Sequence, residues 1–255
     1  MAEQGRFLAS EAQQLAEFRQ FNQALALAQL ASQLAPNDGQ VLGLLGGLYL
    51  QANETEKAVS LLERARTLAP GDARILFALG SAYFQQGDYL KASTQLEQGL
   101  KLEPNNPTAL FDLGNAYFKL QRYDQAIQHY GASVAAQPQF WPAVNNIGLV
   151  LYEQGDATRA IEKWRESLEI AGGTEPEPKL AIAVATYVQE NCRAGANARS
   201  DRCRQAIDLG MEALEQDSRY ADEAFLRQNL WGDRLMTSTN QFFQAPVIKS
   251  LLTEL

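Results

Sequence analysis

A chain of 255 residues with one histidine and two cysteines has almost nothing from which to build a His/Cys metal cage or a histidine-activated nucleophile. Positive charge is short as well. The 22 Lys and Arg stand against 30 Asp and Glu, a net −8, which argues against a surface that tracks nucleic-acid phosphates. No run approaches the roughly 18–20 consecutive apolar residues of a membrane-spanning helix, so insertion into a membrane by this chain is not expected. The opening residues, MAEQGRFLASEAQQ, lack a basic stretch followed by an apolar one, and no signal peptide is expected in this numbering. No phosphate-cradling glycine loop, nucleophile elbow or plausible pair of carboxylates is found, so neither catalysis nor a cofactor or metal is expected.

What the chain does have is a period of 34. Gly46, Gly80, Gly114 and Gly148 lie 34 residues apart, preceded by Leu45, Leu79, Leu113 and Ile147 and followed three residues on by Tyr49, Tyr83, Tyr117 and Leu151. Ala24, Ala58, Ala92, Ala126 and Ala160 keep the same step, and Pro36, Pro70, Pro104 and Pro138 close successive units. Five frames follow: 5–38, 39–72, 73–106, 107–140 and 141–174. Apolar positions recur at helical spacing, so each frame predicts two amphipathic helices of about 13 residues. In the third frame Leu76, Leu79, Gly80 and Tyr83 share one face of helix A, Gly87-Asp88 breaks the chain, and Ala92, Leu96 and Leu102 mark the packed face of helix B. Glycine and alanine at the A–B contact let the two backbones approach closely, and the proline ends helix B.

This pattern resembles the tetratricopeptide repeat family, with Leu79-Gly80, Tyr83, Ala92, Leu96 and Pro104 at the family's offsets. The resemblance covers residues 5–174. It departs at Glu11-Ala12, where Leu-Gly is expected, and at Gly172, which replaces proline. A degenerate sixth unit occupies 175–220, with helix A at Leu180–Val188, helix B at Gln205–Tyr220 and an insertion at 191–201 between them. Residues 221–255 leave the register and read as helices closing the open end of the stack. The resemblance implies an all-α, right-handed superhelical solenoid of about six helix pairs with a C-terminal helical cap.

It also implies a function: a non-catalytic scaffold or assembly factor that holds a segment of another protein, peptide or helix, in the concave groove lined by the A helices. Positions 2, 5, 9, 12 and 13 of each frame face that groove in the family. They are Gly43, Gly47, Leu50 and Gln51 in the second frame, and Arg74, Phe77, Ser81, Phe84 and Gln85 in the third. Phe111, Asn115, Phe118 and Lys119 follow in the fourth, and Asn145, Leu149, Tyr152 and Glu153 in the fifth. The aromatic stripe has two readings, packing between repeats or apolar anchors for a ligand. The Lys, Arg and Asn clamp with which chaperone-binding members hold a C-terminal carboxylate is not matched. Phe77, Ser81, Asp112, Pro142 and Asn146 stand at its positions, and Asp112 would repel a carboxylate.

Cys192 and Cys203 flank the insertion and are open to two main readings, a disulfide closing a loop of about a dozen residues or two free thiols. Arg193, Arg199, Arg202 and Arg204 make that stretch basic, which suits either a solvated loop or contact with an acidic partner. The segment NLWGDRLMTSTNQFF resembles repeat proteins of cyanobacteria, where family members assist assembly of photosynthetic complexes. The alternative to groove binding is a self-associating oligomerisation or regulatory module using its end faces, so the expected state is a monomer or a weak homo-oligomer.

Overall fold

The computed structural model describes residues 1–192 and 200–255. Among them every regular element is helical. The chain divides into two compact units, Met1–Leu120 and Gln121–Leu255. The N-terminal unit contains α1 (Ala2–Glu17), α2 (Phe21–Leu34), α3 (Gly39–Gln51), α4 (Thr55–Leu68), α5 (Ala73–Gln85), α6 (Tyr89–Leu102) and α7 (Pro107–Lys119). Each helix packs on the next, and the odd-numbered A helices also pack on one another, forming a row.

Short-range signals place the helix ends. After each inter-repeat turn Asp38, Asp72 or Asn106 turns its side chain onto amides of the helix it precedes, satisfying donors that would otherwise lack partners. Each A helix closes at the fifteenth position of its frame in the left-handed conformation: Arg19, Asn53, Gly87, Gln121 and Gly155, with φ from 57° to 93°.

Three details of the repeat have direct physical causes. The glycine at position 8 faces position 24 of the partner helix. A Cβ there would lie 2.6 Å from Leu62 Cγ at Gly46 and 2.6 Å from Leu96 Cγ at Gly80. The first repeat can carry Ala12 instead because its facing residue is the small Ala28, and both are fully buried in one cluster. The repeated tyrosine reaches back to the preceding B helix. Tyr49 Oη accepts from Gln29 Nε2 at 2.9 Å, Tyr83 donates to Glu63 and Tyr117 to Glu97. Burial and the Glu63 carboxylate push the Tyr83 hydroxyl up to about 12, so it remains a donor. In the fifth frame the corresponding acceptor position is Gly131, and the tyrosine is replaced by Leu151. Leu102, expected on the packed face of its B helix, is 48% exposed. It lies ten residues beyond Ala92, about 80° off the stripe formed by Ala92, Leu96 and Gly99.

The C-terminal unit contains α8 (Tyr123–Ala136), α9 (Trp141–Glu153), α10 (Ala157–Ile170), α11 (Pro176–Gln189) and α12 (Asp201–Gln216). A 3-10 turn at Ser218–Ala221 precedes α13 (Glu223–Gln228), α14 (Asp233–Phe243) and α15 (Pro246–Leu252). Helices α11 and α12 form the sixth pair. α11 starts earlier than expected because Pro176 supplies its first turn. α12 stops at Gln216 because Asp217 caps the following turn with its own side chain. The final helices do more than close an end: α15 packs on α12, whereas α14 lies across α11 and α9, both A helices.

Cys192 and Cys203 are joined as a disulfide, with Cα atoms 5.6 Å apart, tying the end of α11 to the start of α12. Replacing both with serine is expected to cost about 2–3 kcal/mol, the entropy of a freed loop of this length. The thermal transition of the C-terminal unit should fall correspondingly, and an unchanged transition would remove the disulfide from the stability of this pair.

Candidate functional site

Along the A-helix row of the N-terminal unit the side chains at groove positions shrink toward the first repeats. Ala9, Gly43, Gly47 and Ala78 form the floor of a cleft of about 450 Å³ between α1, α3 and α5. A Cβ on Gly47 would meet nothing within 4 Å, so the helix wall steps back into open space at this point. The rim is polar, with Ser10, Gln13, Gln40 and Gln51. Two arginines stand on it, each paired with an aspartate that caps an A helix: Arg6 of α1 with Asp38, the cap of α3, at 3.3 Å, and Arg74 with Asp72, the cap of its own helix, at 2.7 Å. The cleft mouth is therefore hydrogen-bonding and nearly neutral, above an apolar floor.

Of the expected groove residues in this unit, Gly43, Gly47, Gln51 and Arg74 line the cleft. Leu50 and Phe84 each pack against the core of the second and third repeats, and Phe84 also meets Tyr89 at a tilt with centroids 5.2 Å apart. Phe77 lies over Gly99 of α6, where a Cβ would strike its ring. Phe77 and Phe84 thus spend part of their surface on packing within their own helix pair. Phe111, Asn115 and Lys119 are half-buried. Phe118 was expected on the open face and is buried, a correction to its use as an exposed anchor. Ser81 Oγ lies 3.2 Å from both the Phe77 carbonyl and Asp112 Oδ2, and its one proton serves one of them at a time. Burial pushes the Asp112 carboxyl up to about 6.

The first repeat contributes Arg6, Ala9, Gln13 and Ala16 to the cleft. These are positions 2, 5, 9 and 12 of the frame 5–38, so the register that selected the other groove residues would also have found them.

In the C-terminal unit the expectation of an open groove at Asn145, Leu149 and Tyr152 is corrected, since all three are buried. For Tyr152 the cause is the chain's own C-terminal segment. Tyr152 Oη donates to Ser238 Oγ of α14 at 2.8 Å. The Glu153 carboxylate accepts from the backbone amides of Arg234 (3.1 Å) and Leu235 (2.9 Å). Gly232 at the N-cap has no side chain to cap α14, so Glu153 supplies the missing acceptor, and a Cβ on Gly232 would strike that carboxylate. Farther along, Phe242 packs edge-on to Tyr187 and fills the space above Gly210 of α12.

Beneath this segment lies a buried polar group. Asn145 Nδ2 donates to Glu177 Oε1 at 3.1 Å and to Asn146 Oδ1 at 3.2 Å. Trp231, fully buried, directs its indole N–H toward Glu177 closely enough to favour the ionised carboxylate, without closing a well-formed hydrogen bond. Desolvation dominates, and the Glu177 carboxyl is pushed up to about 7. The nearby Lys179 ammonium turns away to Glu212 at 2.7 Å and Gln216 at 3.2 Å.

Of the basic residues around the insertion, Arg202 pairs with Glu190 at 2.7 Å and Arg204 with Asp201, and both arginines remain mostly exposed. Arg193 and Arg199 lie outside the described residues. Among the described residues no cluster of three His, Cys, Asp or Glu could hold a metal, and no helix is long and apolar enough to cross a membrane.

Stacked helix pairs in a 34-residue register, with a cleft along the A-helix row, define a helical-repeat protein. Tetratricopeptide-repeat models match residues 15–80, 80–121 and 112–176, and the chain is a tetratricopeptide-repeat protein over that span. Solved structures share the fold. The MamA protein is 24% identical over 67% of this chain and 93% of its own, with a TM-score of 0.58. MamA from Desulfovibrio magneticus RS-1 is 18% identical over 66% of this chain and 94% of its own, with a TM-score of 0.59. YrrB, described as a TPR protein with an unusual peptide-binding site, is 19% identical over 64% of this chain and 84% of its own, with a TM-score of 0.55. A comparison with curated protein sequences gives no match.

Proposed function

We propose that this chain is a non-catalytic protein-binding scaffold that holds a segment of a partner protein in the cleft between α1, α3 and α5. The observation that carries this reading is the cleft itself, an apolar floor with a hydrogen-bonding rim at the register positions that face the groove. The matching positions of α9 are taken up by the chain's own α14, which leaves the N-terminal unit as the receiving surface. The description of YrrB as peptide-binding supports the same reading by analogy of fold. The resemblance of residues 229–243 to cyanobacterial repeat proteins supports a narrower one, a subunit of a photosynthetic complex as partner.

Gly47→Leu tests the site, because the new side chain enters open space in the cleft without touching the core. Affinity capture from the cells that make the protein is expected to recover a partner with the wild-type chain and to lose it with Gly47→Leu. A partner retained by the variant would refute the cleft as the site. A partner from another process would remove the photosynthetic assignment alone.

A second reading, self-association through the N-terminal end face, is favoured by Phe7. It occupies position 3 of its frame, where Val41, Ile75 and Ala109 are buried in later repeats, yet Phe7 is 63% exposed and Phe18 nearby in sequence 76%. Sedimentation of the wild type should then show a dimer that Phe7→Asp converts to monomer; a wild-type monomer at high concentration would dismiss the idea.

A further inference from the structure

We propose that Trp231 and the helix it leads into, α14, form a proton-controlled latch, seated on α9 and α11 while Glu177 carries a proton and lifting when that proton leaves. The latch lies in the C-terminal unit and does not depend on the cleft around Gly47.

The first support is the chemistry beneath the latch. Asn145 Nδ2 donates to Glu177 Oε1 at 3.1 Å, yet Asn145 Oδ1, also buried, has no donor. An ionised Glu177 only accepts hydrogen bonds, so it sets a second electron-rich group beside that oxygen and leaves it unsatisfied. A protonated Glu177 has one O–H to give. Given to Asn145 Oδ1, it completes a cyclic acid–amide pair in which each group donates once and accepts once. The neutral acid therefore suits this buried site, and the carboxylate does not.

The second is the surroundings. Among the described residues no cation offsets the carboxylate: on α11 Glu175 repels it, and Lys179 is held by Glu212 and Gln216 of α12. Arg219 of the 3-10 turn is held by Asp217. The neighbouring Tyr220 keeps its proton, because burial pushes its hydroxyl above the ordinary value. From α9, Asn146 joins through Asn145, and beyond it stands Tyr130 of α8. Trp231 favours ionisation, but its indole N–H makes no well-formed hydrogen bond. Desolvation outweighs it, and the Glu177 carboxyl is pushed up to about 7.

The third is the way the latch is hung. Trp231 is fully buried with its indole toward Glu177, and Leu230 before it has φ 65°, a left-handed conformation that leucine seldom adopts. Helix α14 has 11 residues and no side-chain cap of its own. A helix this short is marginal by itself, so its place depends on what α9 supplies: Glu153 on the amides of Arg234 and Leu235, and Tyr152 on Ser238. An ionised Glu177 gains water when Trp231 moves aside. Trp231 stands one residue before the N-cap, so its movement acts on the end of α14 that Glu153 holds. Lifting frees Tyr152 and Glu153, positions 12 and 13 of the fifth frame.

Thr239→Cys places a reporter thiol on the buried face of α14, and it is the one free thiol because Cys192 and Cys203 are joined. Its labelling by N-ethylmaleimide is measured in the full chain at pH 5 and pH 8, relative to a short peptide thiol at the same pH. The relative rate is expected to be at least tenfold higher at pH 8, since the closed latch keeps a proton that the open one releases. Glu177→Gln, whose amide can make the same ring with Asn145, should abolish the rise. At pH 8 Thr239→Cys should also label at least tenfold faster than Ser167→Cys, a reporter buried in α10 of the same unit. Met236→Cys, on the same face of α14, takes the place of Thr239→Cys if circular dichroism shows that variant to be unfolded. A rate level with pH, or a rise that survives Glu177→Gln, would overturn the proton control. Equal rates at positions 239 and 167 would mean that the unit opens as a whole, and would overturn the latch.

Discussion

Trp164→Ala is expected to cost about 3–5 kcal/mol of stability. The indole is fully buried, donates through Nε1 to the Asn145 carbonyl at 3.1 Å, and lies 5.7 Å from the Tyr152 ring. It also sits over Gly148, where a Cβ would fall inside contact distance of the ring. Gly148→Ala alone should therefore destabilise by about 1–3 kcal/mol through overpacking. In the Trp164→Ala background the same change fills vacated space and removes a helical glycine, which is worth about 1 kcal/mol. The double variant should thus be more stable than Trp164→Ala alone, and the cycle strongly non-additive. Nature has built this pair already, as Ala12 facing Ala28 in the first repeat. Urea unfolding followed by circular dichroism reads the cycle, and additive losses would show that the two positions do not oppose each other.

Glu177→Gln should stabilise the C-terminal unit at alkaline pH and have little effect at acid pH. The ordinary value of 4.5 for this carboxyl rises to about 7 in the folded chain. Between these values the folded state keeps a proton that the unfolded chain has released, so stability falls as pH rises through the window and is level above it. At about 1.4 kcal/mol per pH unit the loss is about 3 kcal/mol. The groups facing Glu177 do not offset it. Asn145 donates one hydrogen bond, Trp231 offers an imperfect one, Glu175 repels, and Lys179 is engaged with Glu212. Glutamine keeps the shape and has no charge to bury. Melting curves should show wild type losing several degrees between pH 5 and pH 8 while the variant does not. Parallel curves would place the loss elsewhere. Because Trp231 lies next to Gly232, the N-cap of α14, protection of 233–243 from hydrogen exchange, taken relative to the intrinsic rate at each pH, should fall as pH rises in the wild type only.

The helix pairs were legible in the sequence because repeat contacts are local in register. Gly46 faces Leu62 and Gly80 faces Leu96 at the same sixteen-residue step, so one correct frame predicts the others. Even the departures carry meaning in pairs, as Ala12 with Ala28 and Leu151 with Gly131. The cleft was legible in part: the register chose its residues, and the same rule applied to the first frame would have added Arg6, Ala9 and Gln13.

The sequence by itself determined the period, the helix ends and the face each helix turns to its neighbour, since each depends on residues within about one repeat. Only the tertiary structure decided which part of the A-helix row is open. Residues 221–255 have no register, and their docking rests on contacts such as Glu153 with Leu235 and Tyr152 with Ser238, more than 80 residues apart. No periodicity encodes such pairs. They form because Gly232 leaves the first turn of α14 without a cap and the end of α9 offers a carboxylate, while the apolar face of α14 must be buried somewhere. The same docking engages Tyr152 and Glu153, whereas the cleft around Gly47 stays open.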